Sequence, residues 1–295
     1  MAELYILPFD HRGSFMKIIK ASSPPTDADI TKAREYKLII YEAFQKSVAE
    51  GVPKDKAGIL VDEWLGHDIL IDAKKKGFIT CTPLEKSGQD EFDFDREDWK
   101  EQIAELEPTY TKVLVRYNPE GDRAMNQRQT ARLAEVSAHL ASQDSNFLFE
   151  LLVPATEAQL KDAGSESAYE QDMRPNLTVQ AISELQEAGV DPDVWKLEGM
   201  DSEEAMRDVS AQVEAGNPDA GIIILGRGES AEKAEAWLKI GARSKNAIGF
   251  AVGRTIFKEA LESFTAGKLT RDQAVAQISK NYSFFVDVWR KVKGN

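Results

Sequence analysis

The chain is poor in the two residue types that build metal sites and cross-links. Among 295 residues there is one cysteine, Cys81, and three histidines, His11, His67 and His139. A single thiol leaves no intrachain disulfide and no multi-cysteine metal site. Three scattered histidines do not suit a zinc aldolase, which needs several imidazoles on one ion, so no metal and no other cofactor is expected. Basic charge is also short: 37 Lys and Arg stand against 50 Asp and Glu, a net charge of −13. Nucleic-acid and anionic membrane surfaces call for clustered basic residues, and neither partner is expected. No apolar run approaches the roughly 20 residues of a membrane span. The opening MAELYILPFDHRG lacks the basic lead and apolar stretch of a secretion signal. A cytoplasmic setting is the expectation.

What is present is ordinary globular material, 42% hydrophobic and 29% charged. Eight short apolar runs recur along it: LYILPFD (4–10), GILVDEW (58–64), FITCTPL (78–84), KVLVRYN (112–118), FLFELLV (147–153), VWKLEGM (194–200), AGIIILG (220–226) and AIGFAVG (247–253). They are rich in Val, Ile, Leu and Phe without strict alternation, as strands covered on both faces are. Amphipathic helical patterns separate most of them. One starts near Asp29 and stops at Gly51, and another ends at Gly77 behind three lysines. Asn176, Ser202 and Ser230 read as N-caps, and Gly189, Gly216 and Gly241 as terminators. Strand then helix, eight times over, predicts a (β/α)8 TIM barrel with an extra C-terminal helix, one domain over 1–295. An open doubly wound sheet is the competitor, but no GxGxxG follows the first run. In the last segment Tyr282, Phe285, Val286 and Trp289 fall at helical spacing and read as packing against the barrel.

Charged residues stand where such barrels keep their chemistry, at the C-terminal strand ends. Strand 1 ends in Asp10-His11-Arg12, strand 2 in Asp62-Glu63, and strand 3 leads into Glu85-Lys86. Strand 4 holds Lys112 and Arg116, strand 5 holds Glu150, and strand 6 holds Lys196 and Glu198. A lysine in an apolar strand is expensive to bury. Lys196 therefore reads equally as half of a buried ion pair or as a Schiff-base amine. Lys112 would be the cation that depresses it and Glu150 its proton partner. Glu150 in turn reads as a charge-neutralising carboxylate or as a general acid/base. After strands 7 and 8 come Gly226-Arg227-Gly228 and Gly253-Arg254-Thr255. Loops there commonly hold phosphate, and the pair of arginines favours an anionic ligand. Cys81 reads as a small buried side chain and His139 as an ordinary helix residue.

LYILPFDHRGSF, PLEKSGQDEFDF, KVLVRYNPEGD, FLFELLVP, VWKLEG and GFAVGRTIF together resemble the DUF2090 domain. That domain is fused to the C-terminus of some bacterial 5-dehydro-2-deoxygluconokinases and linked to inositol catabolism as a 2-deoxy-5-keto-gluconate 6-phosphate aldolase. The resemblance covers nearly the whole chain, and a stand-alone version is the expectation. More remotely the chain is similar to class I tagatose-bisphosphate and sulfofructose-phosphate aldolases. The likeness implies Lys196 as the Schiff-base lysine, Glu150 as acid/base, Lys112 as its assistant and Asp10 as an orienting carboxylate. It also implies substrate or phosphate contacts at Arg12, Gly253 and Arg254, to which Glu63, Lys86, Arg116, Gly226 and Arg227 are added from their positions. The expected partners are a small phosphorylated sugar, cleaved to dihydroxyacetone phosphate and malonate semialdehyde, and further copies of the chain in a homo-oligomer. KLEGM lacks the proline those relatives often carry after the lysine, and DEWLG replaces their D-P-E-Y-G. Two rival readings are a non-catalytic sugar-phosphate module and a metal-dependent enzyme ligated by Asp62, Glu63 and Glu150.

Overall fold

Each of the eight apolar runs forms a strand, and the eight strands close on one another. The computed structural model describes residues 2–294. The strands are β1 (Leu4–Pro8), β2 (Ala57–Leu60), β3 (Ile79–Pro83), β4 (Tyr110–Arg116), β5 (Asn146–Leu152), β6 (Val194–Glu198), β7 (Gly221–Leu225) and β8 (Ala247–Ala251). All neighbours are parallel and β8 pairs with β1, giving a closed barrel in chain order. The helices are α1 (Gly13–Ile18), α2 (Asp27–Ala49), α3 (Glu63–Lys75), α4 (Trp99–Leu106), α5 (Arg123–Ser142), α6 (Glu157–Ala163), α7 (Glu166–Ala168), α8 (Arg174–Glu187), α9 (Glu203–Gly216), α10 (Ala231–Gly241), α11 (Arg254–Thr265) and α12 (Arg271–Lys293). This is a (β/α)8 TIM barrel.

Two apolar layers explain why the strands do not alternate. Inside the barrel Leu4, Ile6, Leu60, Cys81, Leu148, Val194, Ile223 and Ala251 fill the lower space. Outside, residues of opposite parity such as Tyr5, Leu7, Phe149, Trp195, Ile222 and Phe250 meet the helices. Side chains at alternate strand positions thus both find apolar company, until the upper turn of the barrel, where charge replaces it.

Several boundaries differ from the pattern. The second strand stops at Leu60, because the Asp62 side chain accepts the Leu65 amide (3.0 Å) and starts α3 at Glu63. Helix α2 begins at Asp27, two residues early, through a reciprocal capping box between Thr26 and Asp29. Ser202 and Ser230 do cap their helices. Asn176 does not: α8 already runs from Arg174, with Pro175 in its first turn. Gly189 does follow α8 in a left-handed conformation. Gly216 and Gly241 are the last residues inside their helices rather than left-handed terminators. A Cβ on Gly241 would lie 2.5 Å from Ile224 Cγ1, so this glycine serves close helix–strand approach. The polar stretch after β5 is mostly helical, with a π turn (Tyr169–Met173) joining α7 to α8.

The C-terminal pair is assigned differently from a plain appendix. Helix α12 takes a place in the outer ring, packing on α2, α10 and α11. Its buried Tyr282 and Trp289 rings meet Phe250 of β8, and the Tyr282 hydroxyl donates to the Tyr5 carbonyl (2.7 Å). The earlier α11 springs from the barrel mouth and touches α1.

Candidate active site

Register brings the charged strand residues together. Glu150 of β5 pairs with Lys196 of β6 and with Leu114 of β4. Paired residues in a parallel ladder point to the same face, and here that face is the barrel interior. Lys112 lies two residues below Leu114 on the same face. Its Nζ donates to Asp10 Oδ2 (3.0 Å) and Glu85 Oε1 (2.5 Å), and lies 2.9 Å from Glu150 Oε2. Lys196 Nζ is also 2.9 Å from Glu150 Oε2. Glu150 thus bridges two amines. Three carboxylates face two lysines on a bed of Leu148, Val194 and Ile223.

The electrostatics follow from burial set against pairing. Burial alone would depress the Lys112 ammonium, but Asp10, Glu150 and Glu85 outweigh it and hold Lys112 well above its ordinary value. Burial likewise pushes Glu150 up, and Lys112 and Lys196 pull it below the usual carboxylate range. Asp10 is held low in the same way, by Lys112 and then Lys196. Glu85 goes the other way: burial raises it more than Lys112 lowers it. Its second oxygen accepts the Leu114 amide (3.1 Å). Glu85 reaches the cluster on a short antiparallel turn after β3, in which it bridges Phe94.

Above this floor opens a cavity of about 480 Å³ at the C-terminal mouth of the barrel. Asp10, Glu150 and Lys196 line it, with His11, Arg12, Lys86, Arg116, Arg227, Gly253 and Arg254 around the wall. Lys112 lies fully buried beneath. Ten of the twelve residues singled out from the sequence are therefore on the cavity or, for Lys112, on its floor cluster only; Glu63 and Gly226 are neither.

The expectation for Glu63 is corrected. Its carboxylate turns outward to Arg96 Nη1 (3.2 Å) and Gln102 Nε2 (3.0 Å), because residue 63 begins a helix instead of ending a strand. Asp62 is spent on Lys37, which is completely buried and also donates to the Phe9 carbonyl (2.7 Å). Asp62, Glu63 and Glu150 thus do not converge as a ligand set. Gly226 stands outside the wall, packed toward Val252.

Other wall groups are present but already engaged. Arg12 donates to the Glu85 carbonyl and lies 2.8 Å from Asp95, strapping the turn after β3. Arg116 donates to the Gln89 carbonyl, and Lys86 pairs with Asp93 (2.5 Å). Arg227 is held by Glu170 and by Glu198 (3.1 Å). Arg254 Nη2 donates to the Arg227 carbonyl (2.5 Å) and lies over Gly228, where a Cβ would be 2.8 Å from the guanidinium carbon. Gly253 is required by packing: a Cβ there would come within 2.3 Å of the Pro8 carbonyl oxygen. It immediately precedes α11, and it lines the cavity together with Arg254, the first residue of that helix.

Of the site-shaping carboxylates, Glu85 and Glu198 were noticed in the sequence as strand-end charges but given no role, and Glu170 was not noticed at all. Glu85 had a signal, since it stands in the dipeptide from which Lys86 was taken. Glu170 comes from the excursion after β5, and nothing local ties it to β7.

No curated protein matches the chain by sequence. Solved structures with the same fold include an archaeal fructose 1,6-bisphosphate aldolase, at 12% identity and a TM-score of 0.63, covering 100% of this chain and 95% of that one. Fructose-bisphosphate aldolase from Plasmodium falciparum matches at 14% and 0.64, covering 100% and 91%. A Schiff-base-forming fructose-1,6-bisphosphate aldolase matches at 14% and 0.57, covering 96% and 94%. At such identities the likeness is one of fold. The model of the DUF2090 family, described as an uncharacterized protein conserved in bacteria, matches residues 1–293, and the chain belongs to that family.

Proposed function

We propose that the chain is a class I aldolase, a lyase that cleaves a phosphorylated keto sugar through a Schiff base on Lys196. One observation carries the reading: an amine 2% exposed stands on the floor of an otherwise roomy cavity, beside an ionised carboxylate and above a second, permanently charged amine. A structural ion pair needs neither the third carboxylate nor the cavity.

The chemistry follows from the contacts. Lys196 adds through its amine nitrogen to the substrate ketone, and loss of water leaves an iminium. Glu150, kept ionised by Lys112, takes the proton of the hydroxyl beyond the scissile bond. The C–C bond breaks, its electron pair moves into the iminium, and an aldehyde departs. Reprotonation and hydrolysis return the amine and release the ketone product. Lys112, whose pKa is held well above the ordinary lysine value by Asp10, Glu150 and Glu85, stays charged beneath the reacting amine. Asp10 orients Lys112. At the rim Arg254 and the α11 amides hold a phosphate, and Arg116 with Lys86 meets an anionic group at the other end.

Resemblance to the DUF2090 domain and the presence of basic groups at two ends of the cavity support 2-deoxy-5-keto-gluconate 6-phosphate as substrate. Its products would be dihydroxyacetone phosphate and malonate semialdehyde. Tagatose-bisphosphate or sulfofructose-phosphate cleavage is the alternative, and a substrate panel separates them. The mechanistic test is borohydride reduction in the presence of dihydroxyacetone phosphate, followed by peptide mapping. The expected adduct is on Lys196 and is lost in Lys196→Met. An adduct elsewhere, or normal turnover by Lys196→Met, removes the assignment.

A further inference from the structure

We infer that Glu85 is a positioning residue for proton transfer: together with Asp10 it takes the directed hydrogen bonds of Lys112 and leaves Glu150 free to act on the substrate. The inference rests on the aldolase reading above and deepens it, by giving the third carboxylate of the cluster a task.

The contacts of Lys112 divide unequally. An ammonium has three N–H groups to give. Lys112 donates to Asp10 Oδ2 (3.0 Å) and to Glu85 Oε1 (2.5 Å). Glu150 Oε2 lies 2.9 Å from the same nitrogen as an ion pair, with no directed hydrogen bond. Lys196 meets that same oxygen, also at 2.9 Å. Among the described residues no hydrogen bond reaches Glu150 Oε1, and Glu150 lines the cavity.

Glu85 is clasped in its place. Its Oε2 accepts the Leu114 amide (3.1 Å), so both oxygens face donors on β4, the geometry of a carboxylate. Its turn is tied by Leu84 N to the Lys112 carbonyl (2.9 Å), Lys86 N to the Asp93 carbonyl (3.0 Å) and Asp95 N to the Leu84 carbonyl (2.8 Å). Arg12 closes the clasp on the Glu85 carbonyl and on Asp95.

The consequence is electrostatic. A cation shared by three carboxylates lowers each of them less than a cation shared by two. With Glu85 charged, Glu150 is ionised yet basic enough to take the hydroxyl proton; without that charge Lys112 turns to Glu150 and weakens it as a base. The groups that face the two glutamates are Asp10 and His11 after β1, Lys112 of β4 and Lys196 of β6, with the buried Cys81 thiol among the same charges.

The test is the pH profile of kcat for cleavage of 2-deoxy-5-keto-gluconate 6-phosphate, or of tagatose 1,6-bisphosphate should the substrate panel select it. Glu85→Gln removes the charge at almost unchanged volume. It is expected to move the acid limb of kcat about one pH unit lower, the rough worth of one charge at this range. On the plateau kcat falls several-fold and KM holds. Glu85→Ala, free of a misplaced amide, moves the limb the same way, and Glu85→Asp, which keeps the charge, moves it little. A borohydride adduct of dihydroxyacetone phosphate on Lys196, formed by all three variants, shows the site intact. An acid limb that stays or rises in both uncharged variants overturns the proposal. So does a loss confined to KM, a limb that Glu85→Asp moves as far, or loss of the adduct in both uncharged variants, which would make Glu85 a structural residue only. Absence of adduct and of cleavage in the wild type is a different failure, that of the Schiff-base reading itself.

Discussion

Lys112 shows how one side chain sets the state of its neighbours. Replacing it by Met leaves Asp10, Glu85 and Glu150 buried with only Lys196 among them. Breaking a buried pair this way costs about 3–5 kcal/mol. The pH dependence has a definite sign. In the wild type the folded pKa values of Asp10 and Glu150 lie below their unfolded ones, so their stabilisation is present above the unfolded values and is lost as the pH falls through the folded ones. With Lys112 gone, burial dominates and the same carboxyls titrate above their unfolded values. The penalty in Lys112→Met is therefore largest near pH 7 and shrinks as the pH drops toward 5. Urea unfolding of both proteins at the two pH values checks this; a deficit that grows in acid contradicts it. Lys112, Glu150 and Lys196 were legible in the sequence because a charge within an apolar strand is anomalous on its own. Arg12 and Arg227 were legible as residues but not as partners. Their engagement with Asp95 and Glu170 joins segments far apart in the chain.

At the scale of elements, the end of β2 is the instructive case. Asp62 caps α3 and neutralises Lys37, and Lys37 also holds the carbonyl just before Asp10. Asp62→Ala is expected to cost about 3–5 kcal/mol, because it orphans a buried ammonium. Adding Lys37→Met should recover part of that, since it removes the orphaned charge. A double variant no more stable than the single would contradict this account. Gly253→Ala tests the join of β8 to α11. Its Cβ has no room against Pro8, so the loop carrying Arg254 must shift. We expect a rise in KM of tenfold or more for a phosphorylated substrate, on the rough scale at which about 1 Å of misplacement is felt. Steady-state kinetics decides; unchanged KM would show that Arg254 does not set binding. The existence of all eight strands was readable from apolar runs of the right length. Their ends were not, because a cap such as Asp62 carries the same charge whether it closes a strand or opens a helix.

For the whole molecule, α12 completes the layer around β8 and β1. Trp289→Ala removes a fully buried indole from that layer and is expected to cost about 3–5 kcal/mol, read as a lower urea midpoint. A change below 1 kcal/mol would mean that α12 is dispensable. The net charge of −13 leaves the basic rim as a local exception, so raising the ionic strength should weaken phosphate-ester binding more than it affects turnover at saturation.

Composition, the eight apolar runs and their spacing determined by themselves that a barrel forms and which strands carry charge at their upper ends. They could do so because periodicity and burial are properties of local sequence. Which charges meet was decided only by the closed barrel. Strand register sets Glu150 against Lys196, and long-range turns bring Glu85 to Lys112 and Glu170 to Arg227. The outward turn of Glu63 likewise exists only once α3 has docked.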